Sequence, residues 1–420
     1  MTPIHLVVRV LRAALLVAAL GFSLPLPGPW GIATAYAADS VNPEVGKHLQ
    51  AAEDLMKAQK YKEALARINE ADAVPGKSTY DSFIIERMRG SAAAGAGDVD
   101  TAARAFDAVI ASGKLPADEQ LKIMQAVTDT YYRAKDYPKA EVWAQRYLKA
   151  GGADPGINRL LIQSYYLAGD YASAARDLQA QLAADEKSGK SPTEEQLQLL
   201  GSSYLKQGDN VGYAGVLEKL VTYYPKKEYW ADLLARVQRK PGFSDRLSLD
   251  VYRLMQLTGN LKQASDYMEL AQLALQSGYP AEAKKAMDQG FSAGVLGIGA
   301  EADRQKRLRD LANKQAAEDQ KAFAAGEAPT AKAADGNAMV NNGYNYVINS
   351  QYDKGIALIE QGIAMGGLKH PDDARLHLGE AYLLAGRRDD AAKTLKSVQG
   401  SDGAQDLARL WAVQARRAAT

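Results

Sequence analysis

A helix–turn–helix pattern recurs along most of this 420-residue chain, and no other feature restricts its fold so strongly. The clearest copy runs from Ile157 to Asp185. It reads as two amphipathic helices joined at Gly169-Asp170-Tyr171, with large apolar residues at fixed places in the first helix and small alanines early in the second. The same turn recurs at Lys60-Tyr61, Asp98-Val99, Asp136-Tyr137, Asp170-Tyr171, Asp209-Asn210, Gly278-Tyr279, Gln351-Tyr352 and Arg387-Arg388. The first five are spaced by 38, 38, 34 and 39 residues and the last two by 36. Intervals of 69 and 73 residues around Tyr279 span two periods each, and Lys240-Pro241-Gly242-Phe243 fills one missing turn. A period of this length with two helices per copy predicts stacked supersecondary units, because one copy cannot bury its apolar face alone.

The side chains within the period sharpen this expectation. Leu161, Tyr165, Gly169, Tyr171, Ala174 and Leu178 set the pattern. Leu378-Gly379, Tyr382, Gly386, Ala391 and Leu395 repeat it near the C-terminus, and Val127, Tyr131, Ala140 and Ala144 repeat it earlier. Asn342-Gly343, Tyr346 and Ile359 fit with Gly355 in place of the usual alanine, and Leu200-Gly201, Tyr204 and Leu217 fit with Tyr213 there. Ala64 and Ile68, then Gly90, Ala102 and Phe106, are weaker copies. Over roughly residues 45–400 the chain resembles the tetratricopeptide repeat family. The resemblance implies an all-α, α-solenoid superhelix of about ten repeats. Small residues let the paired helices approach, large ones fill the space between them, and the Gly-Asp turn stops one helix and caps the next.

Two stretches depart from the pattern. Residues 221–266 read as a divergent repeat pair, with Pro225 at a repeat end and a well-patterned helix from Glu228 to Val237. Residues 300–336 are rich in Ala, Lys, Glu and Asp, and Ala325-Gly326-Glu327-Ala328-Pro329 breaks any helix there; this is either a poorly packed repeat or a linker. The expected layout is therefore a leader over 1–38, an N-terminal array over 39–299, the degenerate segment 300–336, and C-terminal repeats over 337–420. Leu407, Leu410, Trp411 and Val413 outline a final helix that caps the last repeat.

The leader reading rests on Arg9 and Arg12, the apolar run Ala13 to Leu24, the prolines Pro25, Pro27 and Pro29, and the small-x-small site Ala35-Tyr36-Ala37. It implies export and a periplasmic location, with an uncleaved N-terminal anchor as the alternative. No later stretch approaches a membrane span. Beyond residue 38 the chain holds 49 basic and 50 acidic side chains, so a general attraction to nucleic acid is not expected. It contains no cysteine, which removes disulfides, thiolate metal sites and cysteine nucleophiles.

Catalytic and cofactor signals are lacking in the sequence. His48 is isolated, and His370 and His377 lack companions to complete a metal site. The glycine-rich Gly294-Val295-Leu296-Gly297-Ile298-Gly299 follows a helix, as a loop between repeats does, and not a strand, as a phosphate cradle would. Arg304, Lys306, Arg307 and Arg309 alternate with Asp303 and Asp310, the mark of a solvated helix face. No catalytic residue, metal or cofactor is therefore expected.

In a repeat array of this family the first helices line the inner face, where peptides or partner helices lie. The residues expected there are Arg159, Gln163 and Tyr166, with Gln125, Asp129 and Tyr132 at the same places one unit earlier, Arg87 before them, and Tyr344 and Val347 later. The alternative is that these tyrosines pack only against adjacent units. The Lys/Asn clamp that some family members use for a C-terminal carboxylate is not matched. The expected function is a non-enzymatic scaffold for protein or peptide partners, similar in layout to periplasmic repeat proteins that accompany TonB-type systems. The second reading is a polysaccharide-handling adaptor, with Tyr223, Tyr224, Tyr229 and Trp230 stacking on sugar rings.

Overall fold

The computed structural model describes residues 40–325 and 335–417, and the expected leader lies outside them. Among the described residues the chain is all-helical. The helices are α1 (Pro43–Lys57), α2 (Tyr61–Ala73), α3 (Thr79–Ala96), α4 (Val99–Ala111), α5 (Ala117–Arg133), α6 (Tyr137–Lys149), α7 (Pro155–Ala168), α8 (Tyr171–Lys187), α9 (Glu194–Gln207) and α10 (Asn210–Tyr223). They continue with α11 (Lys227–Gln238), α12 (Ser248–Leu257), α13 (Ala264–Gln276), α14 (Pro280–Ser292), α15 (Ala302–Ala324), α16 (Gly336–Ile348), α17 (Tyr352–Met365), α18 (Pro371–Leu384), α19 (Arg388–Lys396) and α20 (Ala404–Arg417). Consecutive helices pair and stack, as an α-solenoid of tetratricopeptide type does.

The turns explain the pairing. After each of α1, α3, α5, α7, α9, α13, α16 and α18 one residue adopts positive φ: Gln59, Gly97, Lys135, Gly169, Gly208, Gly278, Ser350 and Gly386. The next N–H donates back to a carbonyl five residues earlier, as in Asp98 to Ala93, Asp136 to Tyr131, Asp170 to Tyr165 and Arg387 to Tyr382, at 2.8–3.0 Å. This Schellman closure satisfies the last carbonyls of one helix. The same residue then caps the following helix: the Asp98, Asp136 and Asp170 carboxylates accept from the amides of Thr101, Lys139 and Ser173.

The expected packing positions are filled as read. Leu161, Tyr165, Ala174 and Leu178 are all buried, as are Ala140 and Ala391. A Cβ on Gly90 would stand 2.6 Å from the Phe106 ring, and one on Gly379 would stand 2.5 Å from Leu395. Glycine in the first helix is thus what lets the second approach. Tyr213, standing where alanine is usual, is buried against Gly201 and places its hydroxyl on Asp232 at 2.8 Å.

The chain divides into two compact units, one of residues 1–190 with 202–209, the other of 191–201 with 210–420. The expected parting at 300–336 is corrected. Residues on both sides of that segment belong to the second unit, where ion pairs join them across more than a hundred residues: Arg246 to Asp373 at 2.7 Å and Lys240 to Asp406 at 2.7 Å. Residues 302–324 form a continuous helix packed on α14 and α13, and 326–334 lie outside the described residues. Gly294–Gly299 is a loop, as expected, with Leu296 turned into the core. The last helix buries Leu407, Leu410, Trp411 and Val413. It covers α18 and α19 and also packs on α10 and α12 within the same unit, which the cap reading did not anticipate.

Candidate functional site

In the first unit, neighbouring first helices (α1 with α3, α5 with α7) pack more closely than neighbouring second helices do. Their shared side carries the residues expected to meet a partner. Positions i, i+4 and i+7 on one helix face a common direction, so this side carries three columns. Arg87, Gln125 and Arg159 form the first; Ser91, Asp129 and Gln163 the second; Ala94, Tyr132 and Tyr166 the third.

A bond repeats between the columns. The Tyr132 hydroxyl donates to Gln163 at 2.8 Å, and one unit later the Tyr166 hydroxyl shares a proton with the Ser202 hydroxyl at 2.7 Å. Each tyrosine ring also packs edge-on against the first residue of the following helix, Tyr132 on Tyr137 and Tyr166 on Tyr171. The first column is tied in a similar way: Arg87 pairs with Glu119 at 3.2 Å, and the Gln125 amide donates to Asp154 at 2.9 Å. These tyrosines therefore pack against adjacent repeats and bind them together.

Asp129 breaks the series. The third-column residue one repeat earlier, which would have to reach it, is Ala94, which offers no hydroxyl, and Val99 stands where the next two repeats place Tyr137 and Tyr171. The Asp129 carboxylate is half-buried and makes no hydrogen bond or ion pair among the described residues. Burial pushes its pKa up, with Asp154 adding to the rise and Arg133 opposing it. Arg159 is exposed on the neighbouring helix and is likewise without a partner among the described residues. The surface thus offers one desolvated anion and one free guanidinium between rigid, hydrogen-bonded rungs.

Tyr344 and Val347 do not belong to such a surface. They are 2% and 1% exposed, and the expectation that they face an open groove is corrected. Tyr344 instead enters a polar assembly buried in the second unit, which the sequence did not reveal. Arg253 of α12 makes a two-pronged bond to Glu282 of α14, 2.8 Å on each arm, and donates to Asp250 at 2.7 Å. The Tyr344 hydroxyl of α16 donates to Glu380 of α18 at 2.5 Å, and His377 of α18 meets Asp250 at 3.1 Å. The guanidinium lies over the Tyr344 and Tyr279 rings at 4.4 and 5.2 Å. His377 is therefore structural and partnered, while His370 stands exposed just before α18 and its side chain makes no capping bond. These residues come from separate helices and follow no short motif. The available signal was a polar pair, Asp250 and Arg253, spaced by three on an otherwise apolar helix.

The aromatic residues considered for sugar stacking do not form a platform. Tyr229 and Trp230 are buried, and Tyr224 is half-buried with its hydroxyl on the Pro192 carbonyl, leaving Tyr223 exposed. Arg304 and Lys306 lie on the solvated face of α15, where they pair within one turn, and Arg309 reaches Asp288 of α14 at 2.8 Å. Among the described residues no group of His, Asp and Glu is arranged to hold a metal, and no helix is long and apolar enough to cross a membrane.

Tetratricopeptide repeat family models match residues 87–156, 197–227 and 346–416. Over these segments the chain carries tetratricopeptide repeats. Solved structures agree only distantly. The tetratricopeptide domain of P58(IPK) is 15% identical, with 89% of this chain and 97% of that one covered and a TM-score of 0.21. A tetratricopeptide repeat protein from Parabacteroides merdae is 13% identical, with 69% and 98% covered and a TM-score of 0.26. The TPR2AB domain of yeast Sti1, solved in a pHSP90 complex, is 12% identical, with 71% and 99% covered and a TM-score of 0.24. No curated protein matches the sequence.

Proposed function

We propose that this tetratricopeptide repeat protein is a non-enzymatic scaffold that holds an extended peptide or partner helix on the inner face of its first unit. The observation that carries this reading is Asp129: a half-buried carboxylate without a hydrogen-bond or ion-pair partner, set between tyrosines that are tied from repeat to repeat. A desolvated anion of this kind gains most from a cation brought by a ligand. The occupant is accordingly a peptide that places a lysine or arginine on Asp129 and a carboxylate on Arg159. The leader-like segment with Arg9, Arg12 and Ala35-Tyr36-Ala37 supports action in the periplasm. The general layout supports work beside a TonB-type energy-transduction system.

A photo-crosslinking amino acid at position 159 tests the surface, with the same group at exposed Arg104 on α4 as the reference. Adducts to a defined protein from position 159, absent from position 104 and weakened by Asp129→Asn, are expected. Equal adducts from both positions, or none from 159 in cells that need the protein, would remove the reading. Cell fractionation checks the compartment independently.

A further inference from the structure

In the second unit α16, α18 and the capping helix α20 are each met by an upstream segment of the chain. Residues 240–257 lie against them. Lys240 pairs with Asp406 at 2.7 Å, Arg246 pairs with both Asp373 and Asp402, and the Ser244 amide donates to the Asp402 carbonyl. Phe243 and Leu247 sit on Gly403, where a Cβ would stand 2.4 Å from the Phe243 ring. Deeper in, Asp250 and Arg253 reach His377, Tyr344 and Glu380. The face on which such repeats hold ligand helices is thus filled by a helix of the same chain.

The buried end of this contact is out of charge balance. Asp250, Glu282 and Glu380 face one guanidinium, Arg253, and one imidazole, His377. With all carboxylates ionised and the imidazole neutral, two uncompensated negative charges would lie in a largely buried site. Glu380 is 0% exposed, and its Oε1 has no hydrogen-bond partner, which an ionised carboxylate does not tolerate. Protons on Glu380 and His377 restore neutrality.

We propose that residues 240–257 are an internal ligand of the C-terminal repeats, held by a proton-dependent clasp at Glu380 and His377 and loosened as pH rises. The groups facing the clasp are Asp250 and Arg253 from α12, Glu282 from α14, Tyr279 ahead of it, and Tyr344 from α16. On the other elements packed against α18, Glu360 of α17 is engaged with Tyr382, Asp390 of α19 with Arg387, and Asp406 of α20 with Lys240 and Arg409; Asp353, Lys354, Arg388, Asp389, Lys393, Lys396 and Arg416 are the remaining charges there, and none bonds to Glu380 or His377.

The signs agree. Burial, and then Asp250, push Glu380 up to about 8, so its proton favours the closed form fully below its ordinary value and is lost from it through about pH 8. Burial opposes the proton on His377, yet Asp250 holds its pKa above the usual imidazole value, which acts in the same direction. Asp250 itself is held low: burial acts to raise it, but His377 and Arg253 overcome that, so it stays ionised through this range. Closure therefore weakens between about pH 5 and 8 and levels off above that range.

Hydrogen–deuterium exchange of the full chain, corrected for intrinsic rates, tests the clasp. Protection of 245–257 and 371–384 is expected to fall about tenfold per pH unit across that window for each proton linked. Glu380→Gln, a neutral isostere, is expected to flatten the dependence, and His377→Gln to reduce it above about pH 6.5. Asp402→Asn, at the exposed rim, is expected to lower protection equally at every pH. Protection in the unmodified chain that does not vary with pH overturns the proposal, as does a Glu380→Gln chain with the original slope or an Asp402→Asn chain with an altered one. Should Glu380→Gln not fold, the slope of His377→Gln decides.

Discussion

A Cβ on Gly355 would stand 2.5 Å from the carbonyl oxygen of Gly343, and one on Gly343 would stand 2.6 Å from the carbonyl of Gly355. The helices α16 and α17 therefore meet backbone to backbone. Gly336 and Gly362 repeat the contact about two turns away, at 2.6 and 2.7 Å. Alanine is the usual residue at the place of Gly355, but here even a methyl group has no room. Gly355→Ala is expected to destabilise the second unit by about 1–3 kcal/mol through overpacking. A urea titration followed by helical circular dichroism measures it. A change within a few tenths of a kcal/mol would mean that the helices can separate at little cost.

The turn residues give a second prediction with two signs. Gly169 stands at φ +91° with open space where a Cβ would go, so Gly169→Ala loses through conformation alone, by about 1 kcal/mol. Lys135 holds the same left-handed position at φ 62° with a side chain. Lys135→Gly removes that strain and is expected to stabilise the first unit by a few tenths of a kcal/mol, because greater freedom in the unfolded chain offsets part of the gain. Urea midpoints of the two variants should move in opposite directions.

Arg253 provides a third. It is 5% exposed and bonded to Asp250 and Glu282. Arg253→Ala leaves those carboxylates buried without their cation and is expected to cost about 3–5 kcal/mol. Arg253→Met combined with Glu282→Leu removes both charges and is expected to recover a large part of that loss. A double variant no more stable than Arg253→Ala would show that the pair does more than neutralise its own burial.

The sequence was most informative where one short segment carries its own instructions. Gly169-Asp170 dictates a positive φ, a returning N–H and a cap, so the turns and the helices they join were readable from residue types and spacing. The columns Gln125, Asp129, Tyr132 and Arg159, Gln163, Tyr166 followed from that register. Tyr344 and Val347 follow the same register, yet they are buried: Arg253 and Tyr279 cover the Tyr344 ring, and Val347 packs against Gly355 of α17. That packing depends on Asp250, Arg253, Glu282 and Glu380 meeting from separate helices, and no local pattern announces such a meeting. The parting of the chain was misplaced for the same reason: residues 300–336 look weak as a repeat, but long-range pairs such as Arg246 with Asp373 join the stretches on either side.

The break at Asp129 supplies the last prediction. Where the third column holds tyrosine, the following helix begins with tyrosine and the hydroxyl reaches the second column of the next unit, as Tyr132 does with Gln163. Ala94 and Val99 lack both parts. Ala94→Tyr with Val99→Tyr is expected to complete the series, with the new hydroxyl donating to Asp129. A hydrogen bond to a carboxylate in a half-buried site stabilises by about 1.5–3 kcal/mol before the cost of ordering the new rings. The same bond would occupy the carboxylate that is proposed to receive a ligand cation. Tyr132→Phe, by contrast, releases Gln163 and leaves Asp129 open. Binding of arginine-containing peptides, measured by fluorescence anisotropy, should therefore weaken in the double variant about as much as in Asp129→Asn and persist in Tyr132→Phe. Undiminished binding by the double variant would place the peptide elsewhere on the first unit.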